Sequence, residues 1–197
     1  MGIINCRSNN LLCSSKSSKH KRLLILGLDS AGKTSLLYRL KDNEFVSSIP
    51  TVGFNVEVIK LKNYIKFTVW DVGGQVKLRS MWEQHASHSD ALIYVVDASD
   101  RDRFSEAKEE LITILNLEEI KKIPILILAN KQDQAGAMSA KYINDNLNLS
   151  QIIPKPFYHV HQCSALSGDG LFEALRLVYK MLSSTEKEFQ KHYTIQD

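Results

Sequence analysis

Cysteine is scarce. The 197 residues hold three, Cys6, Cys13 and Cys163, too few and too scattered for a disulfide framework, and no Cys/His cluster has zinc spacing. A reducing, cytosolic setting is the expectation. With only 4 prolines and 9 glycines, collagen-like and low-complexity chains are excluded. Long apolar runs are missing too: stretches such as Leu23–Leu28 fall far short of the roughly 18 to 20 residues that a membrane-spanning helix needs. What is present, 44% hydrophobic and 24% charged residues, is the composition of one globular domain with a real core.

Acidic residues are absent from the first 22 positions, which carry Arg7, Lys16, Lys19, Lys21 and Arg22. The other 175 residues hold 20 basic and 22 acidic side chains. A basic leader therefore precedes a nearly neutral body. It suits an anionic surface, and the body shows no basic groove for a phosphate backbone, so nucleic acid is not an expected partner.

Leu23–Leu26 reads as a short strand, followed by a glycine-rich loop and a helical pattern from Lys33 to Lys41. Phe54–Ile59 and Ile65–Trp70 alternate around a turn at Asn63-Tyr64, the pattern of an antiparallel hairpin. Ala91–Val96 and Ile123–Ala129 are continuous apolar runs suited to a parallel sheet buried on both faces, with Phe157–Cys163 as a further strand. Helical stripes at Phe104, Ala107, Leu111, Ile114 and at Leu171, Leu175, Val178, Leu182 supply covering helices. The expected fold is α/β: six strands, mostly parallel, one antiparallel edge strand, helices on both faces. Residues 1–20 read as a leader, 21–184 as the folded domain and 185–197 as a polar tail.

Gly27-Leu28-Asp29-Ser30-Ala31-Gly32-Lys33-Thr34 matches GxxxxGK[ST] between strand and helix. Backbone N–H groups of Asp29 through Ser35 and the helix N-terminus would hold a di- or triphosphate. Lys33 would reach the β and γ phosphates, and the Thr34 hydroxyl would bind Mg²⁺. Kinases, ATPases and GTPases share this loop, so a second element must choose. Asn130-Lys131-Gln132-Asp133 matches NKxD. An Asp133 carboxylate accepts from guanine N1–H and the 2-amino group, donors that adenine lacks. Asn130 would tie loops together, and the Lys131 stem would cover the ring face. Ser164-Ala165-Leu166 would offer a backbone N–H to the guanine carbonyl. Asp71-Val72-Gly73-Gly74-Gln75 matches DxxG followed by Gln: Asp71 would hold Mg²⁺ through water, the Gly74 N–H would donate to the γ phosphate, and Gln75 would orient the attacking water. Thr51 would add a hydroxyl to Mg²⁺ when the γ phosphate is present. The set predicts a small GTPase; a P-loop ATPase or kinase remains the alternative that ATP competition would reveal.

The wording of these segments, with Ile49-Pro50-Thr51-Val52-Gly53-Phe54-Asn55-Val56-Glu57 and Trp70-Asp71, resembles the ADP-ribosylation factor and Arf-like family over about residues 21–183. The resemblance implies a GTP/GDP switch in which the hairpin shifts register and a lipidated N-terminal segment moves onto a membrane. It also implies an exchange factor, a GTPase-activating protein (GAP), effectors for vesicle trafficking or related processes, and a monomer. Of the family's effector triad Phe, Trp and Tyr, Phe54 and Trp70 match, but His85 replaces the tyrosine. Val76 replaces the acidic residue common after the glutamine, which leaves open a GTP-loaded scaffold with impaired hydrolysis. No arginine is evidently placed as an internal finger, so hydrolysis is expected to be slow without a GAP.

Met1-Gly2-Ile3-Ile4-Asn5-Cys6 fits the myristoylation pattern except that Cys6 stands where Ser or Thr is usual. A single acyl chain binds membrane marginally, and second signals are on offer in Cys6, for palmitoylation, and in the basic run to Arg22. A mitochondrial transit peptide is the other reading of this Ser-rich, acid-free leader. Tyr193–Asp197 offers no prenylatable cysteine, which places any lipid at the front. The expected location is cytoplasmic with reversible membrane association.

Overall fold

The computed structural model describes residues 19–47, 51–61, 65–153 and 157–193. Six strands form one sheet: β1 (Lys19–Leu26), β2 (Phe54–Leu61), β3 (Ile65–Val72), β4 (Ala91–Asp97), β5 (Ile125–Asn130) and β6 (Tyr158–Gln162). Their spatial order is β2-β3-β1-β4-β5-β6. β2 pairs antiparallel with β3, and every other pairing is parallel. Helices α1 (Lys33–Asp42), α2 (Met81–Ala86), α3 (Phe104–Leu115), α4 (Ala140–Leu147) and α5 (Leu171–Tyr193) complete a doubly wound α/β domain.

The continuous apolar runs divide by parity between two cores, because successive side chains of a strand point to opposite faces. Leu23, Ile25, Ile93, Val95, Leu126 and Leu128 pack with Leu36 and Leu37 of α1 and with Leu175, Val178 and Leu182 of α5. Leu24, Leu26, Leu92, Tyr94, Ile125 and Ile127 pack with Trp82 of α2, Leu111 and Ile114 of α3, and Ile143 and Leu147 of α4. Tyr94 is fully buried yet satisfied, its hydroxyl donating to the Ala107 carbonyl at 2.8 Å. With both faces covered, the loops at the carboxyl ends of β1, β3, β4, β5 and β6 are left to build a site.

Three elements depart from expectation. β1 begins at Lys19 rather than Leu23, because β3 offers it a parallel ladder from Lys19↔Ile65 onward. The hairpin register runs from Leu61↔Ile65 to Phe54↔Val72, longer at both ends than the alternation suggested. α5 continues to Tyr193, through most of the segment expected to be a tail. The turn at Asn63-Tyr64 and the lipidation candidates Gly2 and Cys6 lie outside the described residues. No helix among the described residues is long and apolar enough to cross a membrane.

Candidate functional site

The chain leaves β1 at Leu26, loops through Gly27–Gly32 and enters α1 at Lys33. Gly32 has φ 90°, and a Cβ there would lie 2.4 Å from the Asn130 amide nitrogen. Only glycine serves at that crossing of two loops. Lys33 is buried and donates to the carbonyls of Gly27 at 2.8 Å and Leu28 at 2.7 Å. An ammonium has three donors, so one is left for an anion in the adjoining space. Burial lowers the Lys33 pKa to about 8 against the opposing pull of Asp71 and Asp29. This is a cation held in readiness for negative charge.

Beside it, three oxygen-bearing side chains from separate segments converge. The Thr34 hydroxyl donates to Asp71 Oδ2 at 2.6 Å and lies 2.8 Å from the Thr51 hydroxyl. Asn55 donates to the same Asp71 oxygen at 3.2 Å. Asp71 has no exposed surface, and its Oδ1 has no hydrogen-bond partner among the described residues. Burial raises its carboxyl pKa, countered by Thr34, Lys33 and Asn55. A buried carboxylate oxygen without a donor, flanked by two hydroxyls, suits a small hard cation that prefers oxygen ligands and keeps water in its shell. The residues present therefore fit Mg²⁺.

A cavity of about 350 Å³ opens over these groups. Asp29, Ser30, Gly32, Lys33, Thr34, Ser35, Thr51, Gly74, Gln75, Asn130, Lys131, Asp133, Ala165 and Leu166 line it, drawn from five separate segments of the sequence. Gly27, Ala31, Asp71 and Ser164 do not line it but are hydrogen-bonded to residues that do. Asn130, 1% exposed, fastens three loops: its amide donates to the Ala31 carbonyl at 2.8 Å, and its carbonyl accepts from the Ala165 N–H at 3.0 Å. Ser164 donates to Asp133 Oδ1, which fixes that carboxylate at the far end of the cavity. A groove with a cation and oxygen cluster at one end and an oriented carboxylate at the other matches a nucleoside polyphosphate read at both ends.

Gly74 approaches the phosphate loop so closely that a Cβ would lie 2.4 Å from Gly27 O, Asp29 N and Leu28 C. The following segment is fastened from behind. Trp82 Nε1 donates to Gly73 O at 3.0 Å and Arg79 Nε to Gly74 O at 3.1 Å. The Arg79 guanidinium also pairs with Glu106 at 2.6 Å and Glu110 at 2.7 Å. Gln75 borders the cavity, while Val76 is 73% exposed. On the outer side, Phe54, Trp70 and His85 form one cluster with ring centroids 5.1 to 5.3 Å apart. Arg22 stacks on Trp70 at 4.1 Å. Burial, then the Arg22 charge, lowers the His85 pKa and so disfavours the charged ring.

Sequence reasoning missed Phe45, Ser47 and Gln134, which also line the cavity. For Phe45 the signal was an aromatic residue in a polar loop; Ser35 pins that loop by donating to Val46 O at 2.8 Å. It also missed Arg103, which grips Asp29 Oδ1 at 2.9 Å and Glu106 Oε2 at 2.9 Å. Arg79 and Arg103 are both committed to carboxylates, and neither lines the cavity.

The model of the ADP-ribosylation factor family matches residues 8–182. Among solved structures, the chain is similar to the Arl6 BBS3 small GTPase from Trypanosoma brucei with bound nucleotide analogue GppNp. The two are 31% identical, with a TM-score of 0.77, over 85% of this chain and 99% of that one. Fold, motif order and a family match over most of the length converge: the chain belongs to the ADP-ribosylation factor family of small GTPases.

Proposed function

We propose that the chain is a guanine-nucleotide switch that binds GTP or GDP with Mg²⁺, hydrolyses GTP slowly and with a GAP's help, and presents effectors to a membrane in its GTP state. The observation that carries the reading is the cavity itself, which joins a buried lysine and an oxygen cluster at one end to the Ser164-held carboxylate of Asp133 at the other.

In this reading Asp133 accepts the two guanine donors, Asn130 holds the loops at fixed spacing, and Ala165 with Leu166 closes the base site. The backbone of residues 29–35 surrounds the phosphates, and the Lys33 ammonium meets the β and γ oxygens. Thr34, Thr51 and, through water, Asp71 would hold Mg²⁺. When bound, the ion offsets negative charge on the phosphates. The Gly74 N–H donates to a γ-phosphate oxygen, and Gln75 orients a water for in-line attack on phosphorus. With Arg79 and Arg103 both tied to carboxylates, and no arginine among the described residues that line the cavity, the acceleration is assigned to a GAP.

Phe54, Trp70 and His85 form the effector surface in the same proposal. Loss of the γ phosphate releases Thr51 and Gly74, and the hairpin β2–β3 that lies between them carries the change to that surface. Gly2 acylation, a second acyl chain on Cys6 and the basic leader supply membrane affinity.

Competition against a fluorescent mant-GDP tests the nucleotide reading. GDP and GTP should displace it at concentrations at least about 10³-fold below those of ADP and ATP, since adenine leaves Asp133 unpaired. Equal displacement by ATP would overturn it.

A further inference from the structure

Asp97 is the last residue of β4 and stands opposite Asn130, the last residue of β5, in the parallel ladder. The chain then turns at Lys131, whose φ of 65° is left-handed, an uncommon conformation for a residue with a Cβ. From there the lysine reaches back across the strand ends, and its Nζ lies 2.6 Å from Asp97 Oδ2. The other carboxylate oxygen is also held. Asp97 Oδ1 accepts from the Ser99 N–H at 3.0 Å and from the Ser99 hydroxyl at 2.6 Å. The turn is locked to the base-side loop by Ala98 N–H to Asn130 O at 3.0 Å. Lys131 borders the nucleotide cavity, and Asp97 does not.

An extended lysine carries substantial rotamer entropy, which a ligand packing against its stem would have to remove. Here the stem is fixed at both ends, by the loop at Cα and by Asp97 at Nζ. The four-carbon chain between them is a preformed apolar wall, with its ammonium paired to the Asp97 carboxylate. As a contribution to fold stability the pair is worth little, because side chains 17% and 29% exposed are screened by water. Its larger consequence is for whatever lies against the stem.

We propose that Asp97 is a positioning residue for nucleotide retention, holding the Lys131 stem across the face of the base while touching no part of the nucleotide itself. This rests on the guanine reading of the cavity. A wall against a ring face is indifferent to the groups on the ring edge. Loss of Asp97 therefore weakens guanine and hypoxanthine nucleotides alike, whereas loss of Asp133 acts on the 2-amino group that distinguishes them.

The test is the dissociation rate of mant-GDP from the full-length, Mg²⁺-loaded protein, in wild type, Asp97→Asn, Lys131→Met and the double variant. Lys131→Met keeps an apolar stem and removes the charge. Asp97→Asn should raise the rate about tenfold, the scale of an affinity gain from preorganising one long side chain. In the Lys131→Met background the same change should have less than about a twofold effect, as expected when the two residues act through one contact. The affinity ratio of GDP to IDP should be unchanged by Asp97→Asn. If that variant folds poorly, Ser99→Ala replaces it; it should raise the rate in the same direction, again with no effect in the Lys131→Met background. A rise of the same size in both backgrounds, no rise in either, or a collapsed GDP-to-IDP ratio would overturn the proposal. Failure of the wild type to prefer GDP over ADP would instead overturn the guanine reading beneath it.

Discussion

Replacing Gly74 with alanine should separate GTP from GDP. A Cβ there lies 2.4 Å from three backbone atoms of the phosphate loop, Gly27 O, Asp29 N and Leu28 C. Ordinary contact requires about 3.4 Å or more, so the segment after β3 must retreat by roughly 1 Å. None of the three atoms can yield as a flexible side chain would. The retreat withdraws the Gly74 N–H from the γ phosphate, a charge-assisted hydrogen bond worth about 1.5–3 kcal/mol. GTP affinity should fall about 10- to 100-fold, while GDP, which has no γ phosphate, should bind within about threefold of wild type. Gln75, next along the backbone, moves too, and single-turnover hydrolysis of preloaded GTP should drop about 100-fold, the cost of a 1 Å misplacement. The assay is competition of GTP and GDP against mant-GDP, followed by phosphate release from the GTP-loaded protein. Equal loss of both nucleotides would show that Gly74 merely supports the loop. No loss of either would refute the reasoning.

Asn130→Ala strands the buried Ala31 carbonyl and Ala165 N–H, each at about 1–3 kcal/mol, and should raise the GDP dissociation rate about 100-fold or more; a rate within threefold would contradict the three-loop role. Cys163 is 2% exposed, and burial pushes its thiol up to about 12, so iodoacetamide at pH 8 should leave it unlabelled until denaturant is added, as read by peptide mass mapping. Because the folded pKa lies above the ordinary thiol value, this group's contribution to stability is complete below about pH 9 and declines as pH rises toward 12, which denaturant midpoints across that window would register. Gly2→Ala should release the protein expressed in an acylating host from anionic vesicles; unchanged binding would count against N-terminal acylation.

β4 and β5 were legible because each is a run of apolar residues up to its last position, and β3 because its alternation is regular; β2 changes phase at Val58-Ile59, so that Phe54, Val56 and Val58 are exposed while Ile59 and Leu61 are buried. The site was legible for a related reason. Apart from Thr51, which precedes β2, its residues fall in short segments that follow a strand, and a doubly wound sheet brings such segments to one edge. α4 was not legible: eight residues show only Ile143 and Leu147 as buried markers, and its cap, Ser139 accepting from the Tyr142 N–H at 3.1 Å, has no acidic partner to complete the usual signature. Nor were the contacts between loops. Asp97 with Lys131, Arg79 with Glu106 and Glu110, and Arg103 with Asp29 join residues 27 to 74 positions apart, and their pairing is set by the packing of α3 and by the ends of β4 and β5. Phe45 entered the cavity because Ser35 holds the loop beside it.

The most direct measurement is the identity of the nucleotide that the purified protein carries. Full-length protein prepared with Mg²⁺ throughout is denatured, and the released small molecules are separated by ion-pair chromatography against standards. A chain that binds GTP, hydrolyses it and then holds the product should release about one GDP per molecule, with adenine nucleotides absent. Mostly GTP would contradict the hydrolysis and favour a GTP-loaded scaffold, with Val76 beside Gln75 as the first residue to restore to an acid. Adenine nucleotide, or none, would contradict the guanine site itself.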